Sequence, residues 1–187
     1  MLKSNVQTAA FKNSIKGVIF KDLKTFDDSR GFFREVVRDT DEFFAEGFAQ
    51  WSHSKMAKNT VKAWHFHHLQ VDWWYVPFGI ITVVLYDNRE ESPTFGSKLE
   101  FKLGQTDQDS EALTSVVKIP QGVLHGCKVL TESAHLFYIT SKTYDPEDEG
   151  RFPFNSSYVP HNWGNNEEEL IVADNDKKVH VPKYTRA

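Results

Sequence analysis

The chain has 187 residues, with 22 Lys and Arg against 26 Asp and Glu and a formal net charge of −4. That balance excludes a surface built for nucleic acid, which needs a clustered excess of Lys and Arg, and no run approaches the roughly 20 apolar residues that cross a bilayer as a helix. Aromatic residues make up 14% of the chain, 15 of them Phe and 5 Trp, which favours ring-packed sheets over helices.

In chain order, Gly17 to Asp22 is predicted as a strand, Asp27 to Gly31 as a turn and Phe32 to Val37 as a further extended run. Asp41 to Glu46 reads as one short helix, opened by an Asp cap and ended by Gly47. Strands are then expected at Phe48 to Ser54, Val61 to His68, Trp73 to Val76, Ile80 to Tyr86, Lys98 to Leu103, Ser115 to Ile119, Cys127 to Leu130 and Ala134 to Ser141. Many short strands between Gly, Pro, Asn and Asp turns, with little helix, predict an all-β antiparallel sandwich or barrel. From Gly164 the sequence turns polar and acidic, which suggests a C-terminal extension carrying a short helix. The expected layout is a single domain over residues 1–187, with a barrel core at 15–163 and the extension at 164–187. The lone Cys127 and the polar opening Met1-Leu2-Lys3-Ser4-Asn5 predict a cytoplasmic protein.

The most informative run is Ala63 to Asp72, with His65, His67 and His68 in close succession. On a strand, residues two apart share a face, so His65 and His67 point together. A second segment, Pro120-Gln121-Gly122-Val123-Leu124-His125, turns tightly and delivers another imidazole. The two segments together resemble the cupin pattern, His-x-His then an acidic residue and Gly, matched downstream by Pro-x-Gly-x-x-His. Asp72 takes the acidic position and Gly79 the glycine. The resemblance implies a double-stranded β-helix, a jelly-roll barrel, with His65, His67 and His125 meeting inside. Such a cluster suits a divalent transition metal, held by His65, His67, His125 and Asp72, or equally a proton-transfer site.

Other stretches resemble one branch of that superfamily, the dTDP-4-dehydrorhamnose 3,5-epimerases. Its Asp-x-Arg-Gly-x-Phe-x-Glu is matched by Asp28 to Glu35, its Gln-Asp-Asn-x-Ser by Gln50 to Ser54, and its Ser-Pro-Thr-Phe-Gly by Ser92 to Gly96. Pro120 to Gly126 and Tyr144 to Glu149 match two further motifs, with Tyr138 upstream as in the family. The resemblance implies an isomerase acting on a nucleotide-linked 4-keto-6-deoxy sugar without a cofactor, in a homodimer. His65 is the implied base and Tyr138 the implied acid. Arg30, Phe33 and Glu35 are implied at the nucleotide, and Gln50, Lys62, His125, Tyr144 and Glu149 at the substrate. Three positions depart from the pattern: Lys62 replaces an Arg, His67 a Gln and Asp72 the catalytic Lys. The Asp that orients the base has only Asp174 or Asp176 as a candidate. Two readings therefore stand beside the epimerase: a metal-dependent cupin enzyme, and a sugar-nucleotide-binding barrel without catalysis.

Overall fold

The structure, a computed structural model, describes residues 14–105, 111–164 and 166–184. Twelve strands build it: β1 (Ile19–Asp22), β2 (Thr25–Asp28), β3 (Gly31–Arg34), β4 (Gln50–Ala57), β5 (Thr60–His67), β6 (Asp72–Asp87), β7 (Lys98–Gln105), β8 (Ser115–Ile119), β9 (Val123–Val129), β10 (Ser133–Thr140), β11 (Glu149–Arg151) and β12 (Ile171–Val172). The expected short helix is a 3-10 turn at Glu42–Phe44, capped by the Asp41 side chain.

The two regions expected as strands at Trp73 to Val76 and Ile80 to Tyr86 form one strand of 16 residues, β6. Pro77 and Gly79 read as breakers because each disfavours a regular ladder. Here they mark a bend, with Gly79 at φ 77° where an added Cβ would lie 2.2 Å from the Ser133 carbonyl oxygen. The bend lets β6 serve two sheets. Its first half pairs with β8 and β10, whose far neighbours are β1 and β4. Its second half pairs with β7 and β9, and β9 pairs with β5. All but the β12 pairing are antiparallel, and the result is the two-sheet jelly roll expected from the resemblance.

The barrel interior is apolar at one end, where Ile81, Val83, Leu85, Val117 and Val129 are fully buried. Two satellite clusters pack on the outer faces: Trp64, Phe66, Phe154 and Trp163 outside β5, and Phe44, Trp73, Val116 and Ile139 outside the other sheet. Trp64, Trp73 and Trp74 are thus core residues, whereas Trp51 is 56% exposed on the edge strand β4. The C-terminal region is built into the barrel. β12 pairs in parallel with the start of β5, and a 3-10 turn at Asp174–Lys177 follows it. The hairpin β2–β3 forms a separate two-stranded sheet, with Phe26, Phe32 and Phe33 exposed.

Candidate active site

A cavity of about 170 Å³ opens at the polar end of the barrel, between the two sheets. β5 supplies Lys62, His65 and His67 to its wall. Strict alternation puts Lys62 and His65 on opposite faces of a strand. They share the cavity because the β5–β9 register shifts between Lys62 and His65, so that both Ala63 and Trp64 turn outward into the satellite core. Gly126 faces this irregularity, and a Cβ on it would lie 2.6 Å from that of Ala63. β9 runs from Val123, earlier than its expected start at Cys127, and so holds His125 within the ladder opposite His65.

His65 is oriented by two carboxylates. Its Nε2 lies 2.8 Å from Asp176 Oδ1 and its Nδ1 3.5 Å from Glu149 Oε1. Because a carboxylate accepts, the shorter contact puts the ring proton on Nε2 and leaves Nδ1 as a lone pair. Asp176 is 5% exposed and comes from the C-terminal 3-10 turn, so the region read as an extension completes the site. Of the two candidates, Asp176 is the partner, and Asp174 is exposed. Glu149, on β11, is itself held by Arg151 and approached by the Tyr144 hydroxyl. Gln50 accepts the Tyr144 backbone N–H at 2.9 Å, which ties the loop before β11 to β4.

His125 is 5% exposed and its Nδ1 lies 3.2 Å from the Val123 carbonyl oxygen. Burial pushes it down to about 3; Asp72 pulls the other way, and His67 and His65 add to the fall, so the ring is neutral at physiological pH. Asp72 accepts from Gln70 Nε2 at 2.7 Å and from Trp74 Nε1 at 3.3 Å. Lys62 donates to Ser54 Oγ at 2.8 Å. The Tyr138 side chain lines the cavity, and its hydroxyl makes no hydrogen bond with any described residue. Burial pushes the Cys127 thiol up to about 12, so this wall residue is no nucleophile.

The structure thus gathers His65, Tyr138, Gln50, Lys62, His125, Tyr144, Glu149, His67 and Asp72 around one cavity. Arg30, Phe33 and Glu35 do not join them. Arg30 pairs with Asp28 on the β2–β3 hairpin with its side chain 87% exposed, Phe33 is exposed beside Phe26, and Glu35 pairs with Arg38. Gln70, Trp74 and Thr140 are lining residues that carry no motif and left no signal in the sequence.

A jelly roll closed around an oriented imidazole and a free phenol is the build of a cupin-type enzyme that moves protons. The model of one family, dTDP-4-dehydrorhamnose 3,5-epimerase, matches residues 12–183. The spore coat polysaccharide biosynthesis protein SpsL of Bacillus subtilis (strain 168) is 40% identical over 152 residues, 80% of this chain and 96% of that protein. The dTDP-4-dehydrorhamnose 3,5-epimerase of Salmonella typhimurium (strain LT2) is 30% identical, over 81% of this chain and 84% of that one. The crystal structure of dTDP-4-dehydrorhamnose 3,5-epimerase from Elizabethkingia anophelis NUHP1 superposes with a TM-score of 0.74 at 26% identity, covering 91% of this chain and 92% of that one. The chain belongs to the dTDP-4-dehydrorhamnose 3,5-epimerase family.

Proposed function

We propose that the protein is an isomerase of the 3,5-epimerase type, which inverts carbons beside the ketone of a nucleotide-linked 4-keto-6-deoxy sugar in polysaccharide biosynthesis. The observation that carries this reading is the 2.8 Å contact of His65 with Asp176 inside the cavity that Tyr138 also lines. The names of the relatives, epimerases and a polysaccharide biosynthesis protein, support the substrate class.

The chemistry follows from the ketone. A neighbouring C–H is acidic because the electron pair left behind spreads onto the carbonyl oxygen as an enolate. His65 Nδ1 takes this proton, while Asp176 keeps the other ring nitrogen protonated and the ring aligned. Both carboxylates around the ring are placed to accept its N–H bonds once it carries two protons. Positive charge in the wall, from Lys62 at least, favours the enolate oxygen. The Tyr138 hydroxyl then returns a proton to the carbon from the other face, which inverts it. The reaction is redox-neutral and takes no redox cofactor.

The nucleotide requires a second chain. Arg30, Phe33 and Glu35 lie away from the cavity of their own barrel, on a hairpin that leaves Phe26, Phe32 and Phe33 exposed at 50%, 54% and 66%. A homodimer in which this hairpin reaches the partner's cavity covers those rings and brings Arg30 to the diphosphate, with Phe33 against the base and Glu35 beside it. The sugar then contacts Gln50, Lys62, His125, Tyr144 and Glu149. A nucleotide-sugar substrate and a chain whose single Cys127 can form no intrachain disulfide support a cytoplasmic setting.

The direct test is incubation with dTDP-4-dehydrorhamnose in deuterium oxide, followed by proton NMR. The signals of the ring protons flanking the ketone fade with wild-type protein and persist with His65→Asn. Persistence of both signals with the wild type refutes the proposed activity.

A further inference from the structure

We infer that His67, Asp72 and His125 form a binding site for one divalent transition-metal ion, from which His65 is excluded. One potential ligand atom from each of the three lies within 4.8 Å of the other two. A metal reading of the sequence alone puts His65 in the same set. The structure separates them: Asp176 holds His65 Nε2 at 2.8 Å, Nδ1 is turned toward Glu149 3.5 Å away, and His65 stands outside the group whose ligand atoms converge.

The hydrogen bonding around the three residues points the same way. The Val123 carbonyl can only accept, so His125 carries its proton on Nδ1 and presents a bare lone pair at Nε2. That lone pair faces Asp72 Oδ2 at 3.9 Å. Two buried acceptors therefore confront one another, His125 at 5% and Asp72 at 4% exposure. A proton held between them would draw the atoms to hydrogen-bond distance, about 2.7–3.2 Å. A metal ion satisfies both at the longer spacing. Among the described residues no Lys or Arg pairs with Asp72, and Lys62 in the same wall donates to Ser54 instead. The His67 ring makes no hydrogen bond to a described residue and stacks on His125 with ring centroids 5.7 Å apart.

The surroundings resemble an outer coordination shell. A ligating histidine ordinarily donates its second N–H to a carbonyl or carboxylate, and a ligating carboxylate is ordinarily fixed by donors. Val123 plays the first part, and Gln70 and Trp74 the second. Two imidazole nitrogens and one carboxylate oxygen suit Fe(II), Mn(II), Co(II), Ni(II) or Zn(II) and leave coordination positions open toward the cavity. If the proposed epimerisation holds, the ion's charge faces the ketone oxygen while His65 keeps its role as base. The proton passes to His65, the electron pair moves to the oxygen, and no redox change is involved.

The test is Co(II) titration of chelator-treated protein, read by visible absorption and by metal analysis, without any substrate. About one ion per chain is expected in the wild type, with tetrahedral or five-coordinate d–d bands. His67→Gln and Asp72→Asn are expected to weaken binding on the order of tenfold or more. His65→Asn and Asp176→Asn keep the wild-type stoichiometry. Thermal melting confirms that each variant is folded, and His67→Gln, at the half-buried position, provides the decisive case. No Co(II) or Zn(II) uptake by the wild type, or equal loss in His65→Asn and His67→Gln, overturns the inference. The deuterium-exchange experiment fails or succeeds independently of this one, so the two readings are separable.

Discussion

Replacing Asp176 by Asn probes the base without removing it. The two side chains have the same shape, and the backbone bonds of residue 176, from Phe154 N–H to its carbonyl and from its N–H to Ala173, are unaffected. What changes is the 2.8 Å contact with His65 Nε2. The carboxylate bond is charge-assisted once His65 has taken a proton, and such a bond is worth about 1.5–3 kcal/mol. At about 1.4 kcal/mol per factor of ten, that alone slows proton abstraction roughly 10- to 100-fold. An Asn that turns its amide N–H₂ toward Nε2 also moves the ring proton to Nδ1 and removes the lone pair that attacks carbon. The combined loss in kcat is expected at about 10²- to 10⁴-fold, the span of a general base. The assay is deuterium exchange beside the ketone at saturating substrate, with dTDP affinity measured by calorimetry. Affinity is expected to stay near wild type, because the base acts in the transition state more than in ground-state binding. An Asn variant that exchanges within about threefold of wild type refutes the assignment of Asp176 as the group that orients His65.

Two further outcomes are expected. Arg30→Ala weakens nucleotide diphosphate binding by about 1.5–3 kcal/mol, and mixing this variant with His65→Asn restores about one quarter of wild-type activity after subunit exchange. Restoration requires the hairpin to serve the partner's cavity; no recovery means that each chain completes its own site. On acidification, Asp87 limits stability: burial pushes its carboxyl up, but Arg89, Ser92 and Thr94 outweigh this and hold it down to about 2. A depressed carboxyl stabilises the fold above its unfolded value of 3.8, and that contribution, roughly 2 kcal/mol, is lost as pH falls from about 4 through 2. Asp87→Asn should flatten this part of the stability curve in urea unfolding, and an unchanged slope refutes the account.

The sequence made the strands legible where a short β-branched or aromatic run stood between turn residues, as in β8 and β10, and obscured them where such a run was interrupted. β6 looked like two strands because a Pro and a Gly in mid-run usually end a ladder, and only the partners β7 to β10 reveal that the chain continues. The Ser92 to Gly96 motif, read as a family signature, turns out to be a cage around Asp87. Ser92 and Thr94 each donate to its Oδ2 at 2.6 Å, and Arg89 Nε donates to Oδ1 at 2.6 Å. Eight of the nine cavity residues named from the sequence came together because they sit on β4, β5, β6, β9, β10 and β11, whose pairing fixes their faces, and the ninth, Tyr144, is tied to β4 through Gln50 from the loop before β11. Asp176 was harder to single out. It reaches His65 across 111 residues of chain, through the two-residue strand β12 and one 3-10 turn, and neither has a periodicity to read. The irregularity at Ala63 and Trp64 was equally silent, since a register shift depends on the opposing strand.

The departures from the family pattern at His67 and Asp72 gain their sense from position. Ligand atoms of both lie within 4.8 Å of each other and of one on His125, while His65 is held by Asp176 and faces Glu149. An Asp in place of a Lys reverses the charge at a site where an enolate is to form, and a buried carboxylate without a counter-charge is costly in itself. The proposed substrate cannot supply that counter-charge, because its diphosphate is an anion. Lys62 is tied to Ser54, and Arg151 to Glu149. His125, with Nδ1 on the Val123 carbonyl, turns an acceptor toward Asp72. A cation bound between His67, Asp72 and His125 would remove both difficulties at once: it would offset the buried carboxylate and add to the positive charge that Lys62 brings to the cavity, and it would leave His65 free to take the proton.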